Sequence, residues 1–175
     1  VNHLVDRGKA TTHSAVGDWI KAVFSEAGMP CVLAGIPRTR SLLETNEQLG
    51  DRFAEIIEIA PLTLQGPKHV TARAALKAFQ DLLDGVQCIE LYSATTAKLF
   101  MFATAGRLRQ IRRLLVRSVE IACRADTRKI DLDVLAVAFQ EVVFPGGSAD
   151  RNPFKKDFNG VPLTKDGEPF APGAK

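Results

Sequence analysis

Residues 31–36, Cys-Val-Leu-Ala-Gly-Ile, are apolar throughout and lie between Pro30 and Pro37. A run so short and so free of polar side chains suits a strand buried on both faces of a parallel sheet. Its surroundings narrow the choice further. Upstream, Thr12 or Ser14 can cap a helix running to about Ala27, with Val16, Ile20, Val23 and Phe24 on one face and Gly28 at its end. Downstream, residues 41–49 read as helix with a break near Asn46, and residues 54–59 as another strand. Residues 1–4 resemble the end of a strand, and Arg7-Gly8-Lys9 a basic loop. Alternating strands and helices over about sixty residues predict an α/β layer with parallel strands.

The pattern changes at residues 61–69, which hold two prolines and a glycine and read as a linker. Beyond it the periodicity is helical, over residues 69–83, 94–105, 107–125 and 131–143, with Asp131 near the start of the last helix and Pro145-Gly146-Gly147 past its end. No further strand is expected there. Residues 148–175 are rich in Pro, Gly and Lys and read as a flexible tail. The predicted organisation is an α/β core over 1–62, a helical bundle over 63–147 and a tail over 148–175.

Net charge is only +3, so bulk charge does not demand a nucleic-acid partner. Charge is uneven, however. Between residues 107 and 129 stand Arg107, Arg109, Arg112, Arg113, Arg117, Arg124, Arg128 and Lys129 against Glu120 and Asp126. Cys31, Cys88 and Cys123 are widely spaced, which argues against a disulfide framework or a zinc site and predicts buried thiols. His3, His13 and His69 have no metal-ligand spacing. No apolar run reaches the ~18 residues of a membrane span, and a cytoplasmic location is expected.

The sequence Val32-Leu33-Ala34-Gly35, Pro37-Arg38-Thr39-Arg40, Leu42-Leu43-Glu44, Asn46-Glu47-Gln48-Leu49 and Arg52-Phe53 resembles the TniB/TnsC-type ATPases of DNA transposition, members of the AAA+ class. The helical second half, Asn152-Pro153-Phe154 and Glu168-Pro169-Phe170 are similar to the same group. The resemblance implies a partial P-loop AAA+ core followed by an α-helical lid. It also implies ATP and Mg²⁺ as cofactors, although the chain contains no Gly-x-x-x-x-Gly-Lys-Ser/Thr loop and no acidic pair ending a Walker B strand. The segment alone is therefore expected to be inactive.

In such proteins an arginine just before the last core strand reaches the neighbouring subunit's nucleotide, and Arg52 holds that place, with Arg38 and Arg40 as competitors. A planar guanidinium makes two charge-assisted hydrogen bonds to phosphoryl oxygens. The plainer alternative for Arg52 is a cation at a helix C-terminus. Arg109, near the start of the helix over 107–125, matches the second sensor position that contacts bound phosphates, with Arg107 as the alternative. At the first sensor position stands Ile36, which has no polar side chain; Thr39 or a backbone group is the substitute, and the position stays unassigned.

Two basic features are candidates for DNA contact: the loop carrying Arg7 and Lys9, with His13, and the row Arg109, Arg113 and Arg117, spaced by four residues. Each is also an ordinary solvated surface, and the row an interface between subunits. Trp19, Phe24, Phe79, Phe100 and Phe102 fall on amphipathic stretches and read as core. Phe154, Phe158 and Phe170 lie in the expected tail and suggest a docking segment for a transposase, through Asn152, Pro153 and Phe154.

The expected protein is an ATP-dependent transposition regulator. It forms a homo-oligomeric ring or filament on double-stranded DNA and recruits or activates a transposase. The alternatives are a replication-type AAA+ initiator or clamp-loader subunit, and a non-enzymatic DNA-binding scaffold.

Overall fold

The computed structural model describes residues 10–28, 30–36, 39–45, 47–53, 55–64 and 68–172. The chain divides into two compact units, residues 1–59 and 60–175. The fold is mixed α/β, with one two-stranded parallel sheet among the described residues.

The first unit contains helices α1 (Ala10–Ala27), α2 (Arg40–Thr45) and α3 (Glu47–Gly50). The turn past α1 is made by Gly28, whose φ of +58° is left-handed and cheap only for glycine. Ile20 and Leu49 are buried, and Phe24 meets Phe53 edge to face at 5.7 Å. The strands expected over 31–36 and 54–59 are not formed; Ala54 lies outside the described residues, and the others there have no regular structure. Val32 is 92% and Ile59 85% exposed. A strand needs a neighbour for its backbone hydrogen bonds as well as an apolar face, and these segments have none in the described sheet. Trp19, expected in the core, is 61% exposed.

The second unit contains α4 (Lys68–Asp81), β1 (Gln87–Cys88), α5 (Ala94–Thr104), α6 (Leu108–Arg124), β2 (Lys129–Ile130), α7 (Leu132–Val142) and a 3-10 turn over Ala149–Arg151. Each expected helix is present within a few residues of its predicted ends. Ser93 Oγ accepts from Thr96 N to start α5, and one Asp131 carboxylate oxygen accepts from Asp133 N and Val134 N to start α7. The α6 stripe Ile111, Leu114, Leu115 and Ala122 is buried, whereas Leu108 in the first turn is 44% exposed. Ser118 lies on this stripe and donates to Leu114 O, so its buried hydroxyl is satisfied.

The absence of strands predicted beyond the linker needs correction. β1 and β2 pair in parallel, Gln87 against Lys129 and Cys88 against Ile130. Two-residue strands leave almost no periodic signal; they exist because both ends of the α5–α6 pair return to one side. Cys88 is half-buried there, and burial pushes its thiol up to about 11. Cys31 and Cys123 are exposed, against the expectation of buried thiols; one lies in a segment that forms no strand and the other on the outer side of α6.

The expected flexible tail is folded. Phe154, Leu163 and Phe170 belong to the second unit's core, and Phe154 stacks edge to face on Phe100 at 5.4 Å and on Phe139 at 6.3 Å. Phe158, half-buried, packs on Phe102 at 5.2 Å. Low overall hydropathy hid a strap whose phenylalanines and Leu163 pack inward, while Val161 stays 40% exposed.

The corner between α5 and α6 depends on Gly106. Its φ is +68°, and an added Cβ would lie 1.9 Å from the Leu62 carbonyl oxygen. Leu62 N also donates to Gly106 O at 2.8 Å, so the two backbones cannot separate without breaking that bond. Gly106→Ala is expected to destabilise the second unit by ~1–3 kcal/mol from the left-handed backbone, with the collision added. A denaturant midpoint equal to that of the parent protein would show that the corner relaxes freely.

Candidate functional site

Arg52 sits in the turn following α3, where its amide donates to Leu49 O. The side chain is exposed, and Nη1 donates to Ser25 Oγ at 2.9 Å. That hydroxyl donates in turn to Lys21 O at 2.9 Å near the end of α1. The guanidinium is thus oriented by a neutral oxygen and keeps its full charge for an incoming anion. Its competitor Arg40 is paired with Glu44 at 3.5 Å. Arg38 lies outside the described residues, as do Arg7 and Lys9; His13 is in α1, with no description of its side chain. The Thr39 hydroxyl donates to Ile36 O at 2.6 Å and closes a local turn.

On α6, Arg109, Arg112 and Arg113 are exposed. Arg113 Nη1 reaches Gln110 Oε1 at 3.3 Å, a neutral contact. Arg117 has a different environment. Its Nη1 donates to Glu120 Oε2 at 2.6 Å, and its Nε to Glu141 Oε2 on α7. The hydrogen bond from Arg117 holds the Glu141 carboxyl below the usual glutamate range, and the two carboxylates raise the guanidinium above its ordinary value. A phosphate approaching Arg117 meets two carboxylates already in place. The sequence-level DNA assignment thus brings together Arg109 and Arg113, while Arg117 ties α6 to α7. Glu120, three residues along one helix, was a legible partner; Glu141 is brought up only by the packing of α6 on α7.

Arg107, the alternative to Arg109, lies over the Phe170 ring with its guanidinium carbon 5.2 Å from the centroid. Phe170 is held by its amide's bond to Leu163 O at 3.0 Å. The expected docking segment, Asn152-Pro153-Phe154, is buried rather than presented. Asn152 Nδ2 donates to Ala136 O at 2.8 Å, and Asn152 Oδ1 accepts from Phe154 N at 3.1 Å. The residues that sequence reasoning missed are Arg151 and Glu168. Arg151 Nε donates to Glu168 Oε1 at 2.7 Å, Nη1 to Asn159 Oδ1 at 2.8 Å, and Nη2 to Pro162 O at 2.9 Å. Their separation along the chain gave no local signal.

The seam between α6 and α7 carries an open groove of about 570 Å³. Val116 and Val142 form its apolar lining, and Arg112, Arg113 and Arg117 line it together with Glu120 and Glu141. Among the described residues no group of His, Cys, Asp and Glu could hold a metal ion, and no helix is long and apolar enough to cross a membrane. The chain matches no family model, no curated protein and no solved structure.

Proposed function

We propose that this chain is part of an ATP-driven regulator of DNA transposition of the TniB/TnsC-like AAA+ kind. Its subunits assemble on duplex DNA, and Arg52 of one completes the nucleotide site of the next. The observation that carries this reading is the state of Arg52: exposed, held by a hydroxyl rather than a carboxylate, and placed by a turn after a helix. A catalytic arginine acting on a neighbour needs that combination of charge, reach and fixed direction.

ATP, when bound, supplies a γ-phosphoryl group whose transfer spreads negative charge over its oxygens. Arg52 offers donors to that charge, and Arg109 is a second exposed cation suited to phosphate. Among the described residues no group of three or more His, Cys, Asp or Glu side chains could hold a metal ion, and the reading assigns Mg²⁺ no ligand here. DNA contact is assigned to Arg7, Lys9 and Arg113, with Arg117 engaged instead by Glu120 and Glu141. The homo-oligomer and the recruited transposase follow from the resemblance.

A second reading, a DNA-binding scaffold without nucleotide chemistry, is favoured by the exposed Arg109, Arg112 and Arg113 alone. DNA affinity of the complete protein, measured with and without ATP across a salt series, separates the two. The ATPase reading expects affinity and oligomer size to rise together with ATP. A steep salt dependence that ignores ATP would put the scaffold in its place.

A further inference from the structure

We propose that the groove between α6 and α7 docks a short peptide of a partner protein, one carrying an apolar side chain flanked by acidic residues. Three features define that occupant. Val116 is 46% exposed on a helix face otherwise given to arginine, and Val142 lies beside it in the groove. Covering two valines stabilises a complex only if the ligand is itself apolar there. Arg112 and Arg113 border the valines, and neither has a carboxylate partner among the described ion pairs, so that side attracts acids. Glu120 and Glu141 line the same groove but are engaged by Arg117, so its charge is mixed rather than uniformly basic.

Duplex DNA fits this arrangement poorly. A phosphate backbone is uniformly negative and has no apolar side chain to cover the valines. A peptide brings an apolar anchor and acids for the two arginines within a few residues. The groove is of the size that receives small ligands and side chains. The arginines supply orientation and the valines the anchor, the usual division between rim and centre of an interface. With Asn152 and Phe154 buried, this seam is an exposed place in the second unit where apolar and charged groups meet in a concavity. Docking there needs no nucleotide, so the inference stands apart from the ATPase reading.

The test is fluorescence anisotropy of the 175-residue chain, without ATP and at physiological ionic strength. The probes are a labelled peptide of Glu-Glu-Leu repeats, its Lys-Lys-Leu counterpart and a short DNA duplex. The Glu-Glu-Leu peptide is expected to bind and the Lys-Lys-Leu peptide not. The double substitution R112E/R113E is expected to weaken binding about tenfold or more, equivalent to ~1.4 kcal/mol, and to admit the lysine peptide instead. Val116→Asp is expected to weaken it comparably. These side chains face solvent, so parental melting temperatures are expected; should either variant melt early, R112Q/R113Q and Val116→Ser are expected to show the same losses. Failure of the acidic peptide to bind, or binding indifferent to both sets of variants, overturns the proposal. So does duplex binding that is lost in R112E/R113E but kept in Val116→Asp, which would make the face a DNA contact.

Discussion

Replacing Arg52 by alanine in the complete protein is expected to lower DNA-stimulated ATP hydrolysis by roughly 10³–10⁵, the range of arginine fingers acting on phosphoryl transfer. Nucleotide binding itself should change much less, because the guanidinium meets charge that develops in the transition state. Lysine should not restore the rate, since a single ammonium cannot make the paired hydrogen bonds of a guanidinium. Folding is not at stake: the side chain is exposed, and its one described bond is to Ser25 Oγ. On the proposed action between subunits, Arg52→Ala subunits mixed with subunits unable to bind ATP should recover part of the activity. Steady-state hydrolysis at saturating ATP reads all of this. A variant that hydrolyses ATP at the parental rate on DNA removes Arg52 from the mechanism and returns it to a surface contact between α1 and the turn after α3.

The second large effect is structural. Arg151→Ala is expected to cost ~3–5 kcal/mol, the penalty for removing one member of a buried ion pair. Arg151 and Glu168 side chains are each only 9% exposed, and Arg151 Nη2 lies 2.5 Å from Glu168 Oε1. The substitution also frees Asn159 Oδ1 and the carbonyls of Val161 and Pro162, all acceptors of the guanidinium. Glu168 Oε2 retains only the Lys165 amide at 2.8 Å. Without the hub, the segment from Asn152 to Phe170 loses the contacts that bring its three phenylalanines onto the bundle. The melting temperature of the second unit should fall by ~10–20 °C, and cleavage by a protease in the Lys155–Lys165 region should become rapid. The double variant R151M/E168M should regain much of the stability, since no charge is then left buried and unpaired. A protein that melts normally and resists cleavage after Arg151→Ala would show that the aromatic contacts hold the strap alone.

Both expectations rest on residues that the amino-acid order exposes unequally. The place of Arg52 after a short helix was legible without any knowledge of packing, and its proposed role rests on the resemblance. Arg151 was not legible. Its partner Glu168 lies seventeen residues away across a stretch of turns, and low hydropathy there suggested no structure at all. The same blindness explains Glu141 on Arg117 and the burial of Asn152 against Ala136. Conversely, residues 31–36 look more like a strand than anything else in the chain, yet Val32 is exposed and no strand forms there. Apolar content made that segment eligible for a sheet, but only a hydrogen-bonding neighbour could place it in one.

By itself, then, the sequence determined what is local. Helices α4 to α7 follow from a 3.6-residue apolar period, the caps from Ser93 and Asp131, and the left-handed corner from Gly106, because each depends on side chains within a turn or two of one another. Tertiary structure decided what is remote. It chose which charges are neutralised, which phenylalanines are buried, where two-residue strands pair, and that the last segment is a strap. Those outcomes depend on groups far apart in the chain arriving at one place, where burial removes water and makes an unpaired charge or backbone donor too costly to leave alone.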